Sequence, residues 1–244
     1  MIRVDRAELT RNEIIRVAAK RFLNEGYSKT TIHGMSKALN MSSGNLTFHY
    51  PTKEHLLVAL VEMLCDFQRK LLEEEVEEGY SAITAVCLEL LSIASACEQD
   101  EIAKDFFLSA YRSQMCIEQI RKNDKKRAME VFKEFCPHWT EERFEEAEAL
   151  VSGIEYATLL TTGDCISLEM RISGALNTIL DIYNVPQELR EQNIEKVLKM
   201  DYRKFGRRVL REFRQFVDIT TQQALVNLVR PRSSSATPHK EETS

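Results

Sequence analysis

Turn-forming residues are too sparse along this chain for a β fold. Eight glycines and five prolines are spread over 244 residues, whereas paired short strands need a turn about every 8 to 12 positions. The intervals carry apolar residues at three- and four-residue spacing, the period of a helix face. Residues 7–25 place Ile14, Ile15, Ala18 and Phe22 on one such face, and Gly26 follows where a helix end wants a left-handed residue. Residues 53–78 carry a longer stripe of Leu56, Leu57, Leu60, Val61, Leu64, Phe67 and Leu71. Similar patterns cover about 81–97, 101–121, 124–135, 141–162, 167–183, 187–199 and 202–229, with Gly79, Pro137, Gly163 with Asp164, and Pro186 in the connections. The expectation is an all-α chain without internal repeats. Residues 231–244 hold one alanine as their only apolar side chain, and they are predicted to be a disordered tail.

Several functions find no anchor in the sequence. The longest unbroken apolar run is Leu56 to Val61, far short of the roughly 18 to 20 residues that span a bilayer, so no membrane partner is expected. The amino terminus lacks an apolar signal core, which predicts a cytoplasmic protein. Six cysteines include no C-x-x-C pair, and buried free thiols are expected rather than a metal or redox centre. There is no Gly-rich phosphate loop, no G-x-S-x-G elbow and no H-E-x-x-H helix, so neither catalysis nor a cofactor is expected. Charge is more informative. Residues 1–55 hold nine Lys/Arg against five Asp/Glu, and the remainder holds 24 against 33, for a net charge of −5. A basic module on an acidic body suits a phosphate-bearing partner.

That basic module has its own grammar. Thr30 or Thr31 can cap a short helix with Ile32, Met35 and Leu39 on its inner face. Asn40 tolerates the positive φ of a corner, Met41 can bury inside it, and Ser42 or Ser43 can cap a third helix that ends before Pro51. Two helices of about two turns cannot stand alone and must pack on the first. The arrangement is that of a helix-turn-helix.

Residues 13–57, EIIRVAAKRFLNEGYSKTTIHGMSKALNMSSGNLTFHYPTKEHLL, resemble the DNA-binding domain of the TetR family of bacterial transcriptional regulators. The resemblance is carried by Ile14, Ala18, Phe22, Gly26, Tyr27, Thr31, Leu46, His49, Tyr50, Lys53, Glu54 and Leu56. It implies a helical homodimer with an amino-terminal helix-turn-helix domain (1–55) and a helical effector-binding and dimerisation domain (56–230). The implied partners are a near-palindromic double-stranded DNA operator, a second copy of the chain and a small-molecule effector. It also places Ser43, Asn45 and Thr47, with Ser42 beside them, near base edges, and His33, Phe48, His49 and Lys53 near phosphate, sugar or groove wall. Lys37 adds a point charge for phosphate. Phe48 and Tyr50 could equally be core. The chain departs from the family pattern at Asn40, usually Gly, at Met35 and Ser36, usually Ile-Ala, and at Thr47, usually a Tyr that reaches a phosphate.

In the body, 141–162 and 167–183 resemble the family's two dimerisation helices. Leu150, Gly153, Ile154, Ala157, Ile172, Leu176 and Ile179 are the expected interface, although the same stripe could close an intramolecular hairpin. Phe107, Tyr111, Met115 and Trp139 are the expected effector lining, with plain core as the alternative. The basic residues at 203–214 could pair with the acidic body or grip an anion, and pairing is the expectation. Together these readings predict a sequence-specific repressor relieved by an effector, against the alternative of a helical adaptor or sensor without specific DNA binding.

Overall fold

In the computed structural model, residues 6–77, 79–160 and 166–229 are described. Cys165 and the expected tail at 231–244 lie outside them. The described residues form α1 (Arg6–Asn24), α2 (Ile32–Ala38), α3 (Ser43–His49), α4 (Lys53–Glu77), α5 (Ala82–Gln99), α6 (Glu101–Arg112), α7 (Gln114–Val131), α8 (Glu141–Leu159), α9 (Leu168–Ile182), α10 (Gln187–Leu198) and α11 (Tyr202–Val229), and no strand.

Local chemistry sets most of the boundaries. The Thr31 hydroxyl accepts from the Gly34 N–H and caps α2, while Thr30 turns inward and donates to the Gly26 carbonyl. Asn40 takes φ 51° at the corner, as expected. Ser42, not Ser43, caps α3 by accepting from Asn45 N–H at 3.1 Å. Two expected boundaries move: no break separates 121 from 124, because α7 runs unbroken to Val131. The single helix predicted over 101–121 breaks at Ser113, whose hydroxyl accepts from Cys116 N–H to start α7 and also donates to Glu54 of α4. A cap that satisfies an orphan N–H and a carboxylate together outweighs the helical periodicity running through it.

The body is arranged around α5. By length and hydropathy this helix could cross a membrane, but 67% of it is buried inside the fold, packed by α4, α6, α8, α9, α10 and α11. It is a core helix. The α11 crossing is close: a side chain added at Gly206 would start 2.7 Å from the Ser92 carbonyl oxygen. Beyond that crossing, Phe213 stacks near Phe67 and Phe106, at 5.6 and 6.4 Å between ring centroids.

Polar contacts from several body helices hold the amino-terminal helices in place. Asp105 of α6 accepts from the Ser28 N–H at 2.7 Å and from the Ser28 hydroxyl. Glu54 meets Ser113. From α11, Arg214 donates to the Leu23 carbonyl at 2.6 Å and Asp218 pairs with Arg16 at 3.3 Å. The expected division at 55/56 falls in the first turn of α4, so that helix belongs to both parts.

Candidate nucleic-acid interface and internal cavity

The core of the helix-turn-helix unit is Ile14, Ala18, Phe22, Met35 and Leu46, each without solvent exposure. What this core leaves outside is the candidate surface. On α3, Asn45 is exposed and its side chain makes no hydrogen bond among the described residues. Phe48 is 80% exposed, the most open of the large apolar side chains, and His49 meets it edge-on at 5.3 Å. Of the two alternatives for Phe48, the core is excluded, whereas Tyr50 packs half-buried against it. His33 and Lys37 are exposed on α2.

Other expected contacts are engaged within the chain. Ser43 shares a 3.0 Å hydrogen bond with Ser36 and fixes α3 against α2. Thr47 returns its hydroxyl to the Ser43 and Gly44 carbonyls at 3.0 and 3.2 Å. Lys53 points inward. Its Nζ donates to the Tyr27 and Thr30 carbonyls at 2.9 and 3.0 Å and lies 4.0 Å over the Tyr27 ring. Burial accordingly holds its pKa below the usual lysine value, with Asp105 opposing. Two of the three ammonium donors thus tie the start of α4 to the α1–α2 turn instead of facing outward to a phosphate.

The body holds a cavity of about 70 Å³, enough for a few waters, walled by α4 through α9. Phe107 and Tyr111 line it as expected. Met115 and Trp139 do not, which corrects that half of the expected lining. Met115 lies off the α7 face that carries Ile120, Asp124 and Arg127 to the wall, and Trp139 packs one layer behind, 5.9 Å from the Tyr183 ring that faces the cavity.

The polar wall was missed in the sequence. Arg127 donates to Glu89 at 2.5 Å and Asp124 at 3.0 Å. Tyr111 donates to Glu155 at 2.9 Å, and Tyr183 donates to Glu148. Burial raises the pKa of all four carboxyls, Glu148 to about 7, with Asp124 adding to the shift at both Glu148 and Glu155. The only sequence signal is spacing: Asp124 and Arg127 are one turn apart on α7, and Glu148 and Glu155 two turns apart on α8.

Residues 14–60 match the family model described as bacterial regulatory proteins, tetR family. The match covers α1 through the first part of α4, the unit whose exposed face is described above. Over these residues the chain is similar to the TetR family's amino-terminal domain. Similar solved structures include a gamma-butyrolactone receptor described as an ArpA-like protein, with 19% identity, TM-score 0.45 and coverage of 80% of this chain and 96% of that one. CprB from S. coelicolor A3(2), a TetR family protein, aligns with 20% identity, TM-score 0.43 and coverage of 82% and 98%. TylP from Streptomyces fradiae aligns with 16% identity, TM-score 0.43 and coverage of 80% and 92%. No curated protein matches the chain.

Three further expectations meet the structure. Ile172, Leu176 and Ile179 are 0, 1 and 4% exposed, so they fill the protomer's own core and cannot reach a partner. Leu150, Gly153 and Ala157 remain outside on α8, with Ile154 half-buried beside them. On α9 the open positions are Met170 and Gly174 instead. In the basic stretch of α11, Arg203 pairs with Glu169 and Arg208 with Glu75, both at 3.2 Å, as expected, whereas Arg207 donates to the neutral Gln99 at 3.0 Å and Arg214 to the Leu23 carbonyl. Burial pushes the thiols of Cys65, Cys87 and Cys97 up to about 12, far from thiolate formation at neutral pH.

Proposed function

We propose that this DNA-binding transcriptional regulator is a repressor that reads a near-palindromic operator as a homodimer and is released by a small-molecule effector. The base-reading group is Asn45, which can pair bidentately with adenine, and Phe48 supplies an apolar contact to a thymine methyl or a sugar. Lys37 and His33 face phosphate, and Ser42 sits at the α3 amino terminus, where free N–H groups suit an anion. The partner subunit is met by the outer face of α8 and α9, where Gly153, Ala157 and Gly174 permit close approach and Leu150 and Met170 supply apolar area.

The observation that carries the regulatory half is the position of α4. Its middle walls the cavity through Val61, Leu64, Cys65 and Gln68, and its first residue is tied to the turn before α2. A ligand larger than a few waters must part the cavity walls. Displacement of α4 would then shift the separation of the two recognition helices, which must fit half-sites about 34 to 36 Å apart. Ligand entry therefore opposes DNA binding, the behaviour of a repressor.

The test is selection of bound duplexes from genomic DNA by the full-length protein, followed by affinity measurement against salt. A shared near-palindromic motif with a steep salt dependence is expected. Binding that ignores sequence, or no binding at low salt, would favour the adaptor reading, which the internal bonding of Thr47 and Lys53 otherwise suits.

A further inference from the structure

The cavity wall is unusual in how its charges are distributed. One guanidinium, Arg127, faces four acidic side chains, and two of its five N–H donors go to Glu89 and Asp124. The other two, Glu148 and Glu155, receive phenol hydroxyls only. Neither is in an ion pair among the described residues. Arg121, whose charge also acts on Glu148, spends its Nε on Ser152 at 2.8 Å. Much of the remaining lining is apolar, with Val61, Leu64, Leu90, Ile93, Phe107 and Leu180.

We infer that the effector is an amphipathic organic amine, whose ammonium pairs with Glu155 while its apolar or aromatic body lies against the apolar part of the lining. This rests on the reading of the cavity as the effector site and names the chemistry that site accepts. An anion would meet four acidic groups against one guanidinium that already serves Glu89 and Asp124, so the balance of the wall disfavours it. A metal ion does not answer the imbalance, because among the described residues no His, Cys, Asp and Glu converge on one point in a coordinating group. An ammonium has three donors, and a phenol-bonded carboxylate retains lone pairs for one of them. Burial pushes the Glu155 carboxyl well above the usual carboxylate range, with Asp124 and Glu148 adding to the shift. Entry of a cation favours the ionised form, so binding should release protons.

The experiment titrates the full-length protein by calorimetry with three ligands of similar size: 2-phenylethylamine, 2-phenylethanol and 3-phenylpropionate. The amine is expected to bind at least about tenfold tighter than the other two, with an enthalpy that changes with the buffer's ionisation heat as protons leave. Glu155→Gln should bring amine and alcohol to within about threefold of each other. Preference for the alcohol or the propionate, or no amine binding at millimolar concentration, would overturn the inference, and this comparison stands on the unmodified protein even if the variant folds poorly. A parallel titration follows release of a selected duplex. Amine binding without release would sink the regulatory reading and leave the cavity chemistry intact; release by the propionate alone would do the reverse.

Discussion

The recognition surface and the cavity both collect polar side chains, and they hold them in opposite surroundings. On α2 and α3, Asn45, His33 and Lys37 stand in water beside an exposed Phe48. In the body, Glu89, Asp124 and Arg127 keep only 14, 16 and 19% of their side-chain surface open, and Glu148 is 3% exposed. Groups that stay solvated cost the fold little and remain available to a partner. Desolvated groups must be paired or protonated, so the cavity trades stability for a prepared electrostatic site. Substitutions on the surface should therefore change DNA binding and leave stability alone, and those in the cavity should change stability first.

The largest effect tests the cavity side. Arg127→Met leaves Glu89 and Asp124 buried without their cation and should destabilise the fold by about 3 to 5 kcal/mol, read by denaturant unfolding. A loss under about 1 kcal/mol would mean that the wall is solvated like the surface.

Next in size is a pH dependence. The Glu148 carboxyl is raised from 4.5 to about 7, by burial first and then by Asp124. The folded chain thus keeps a proton that the unfolded chain releases, so this contribution is full below the unfolded value and is lost as pH rises through about 7. Across that window stability should fall by roughly 3 kcal/mol, and Glu148→Gln should flatten the slope. Thermal melts at a series of pH values check both.

The strut between the two regions gives a smaller effect. Gly206→Ala forces a methyl against the Ser92 carbonyl and should cost about 1 to 3 kcal/mol by pushing α11 off α5. Because Arg214 and Asp218 of α11 grip α1, hydrogen exchange should rise in α1 as well as α11. Protection unchanged in α1 would show that the helix-turn-helix unit is held without α11.

Lys37 and Lys53 separate contact from support. Lys37→Ala should lower the salt slope of DNA binding by about 1 and leave the melting temperature unchanged. Lys53→Ala should do the converse, lowering stability through the lost carbonyl bonds with the slope intact. A reduced slope for Lys53→Ala would restore the phosphate contact that its resemblance implied.

The same contrast explains what the sequence made legible. The helix-turn-helix unit depends on local signals, an apolar period, caps at Thr31 and Ser42 and a positive-φ asparagine, each readable within a few residues. The cavity depends on side chains brought together from six helices. No local pattern sets Glu89, Asp124, Glu148 and Glu155 apart from solvated positions, and only tertiary packing brings them to the cavity. Lys53 misled for the opposite reason: a lysine at a helix start resembles a phosphate donor until the Tyr27 and Thr30 carbonyls are placed beside it. Ile172, Leu176 and Ile179 misled because an apolar stripe does not say whether its partner lies in the same subunit.

The central claim is that the exposed face of α3 reads base sequence, and it is tested most directly by repeating the duplex selection with Asn45→Ala. The unmodified protein should yield one near-palindromic motif, and the variant should yield the same motif with base preference relaxed at one symmetry-related pair of positions, a loss of about 1 to 3 kcal/mol in discrimination there. An identical motif and unchanged discrimination from the Asn45→Ala protein would contradict it.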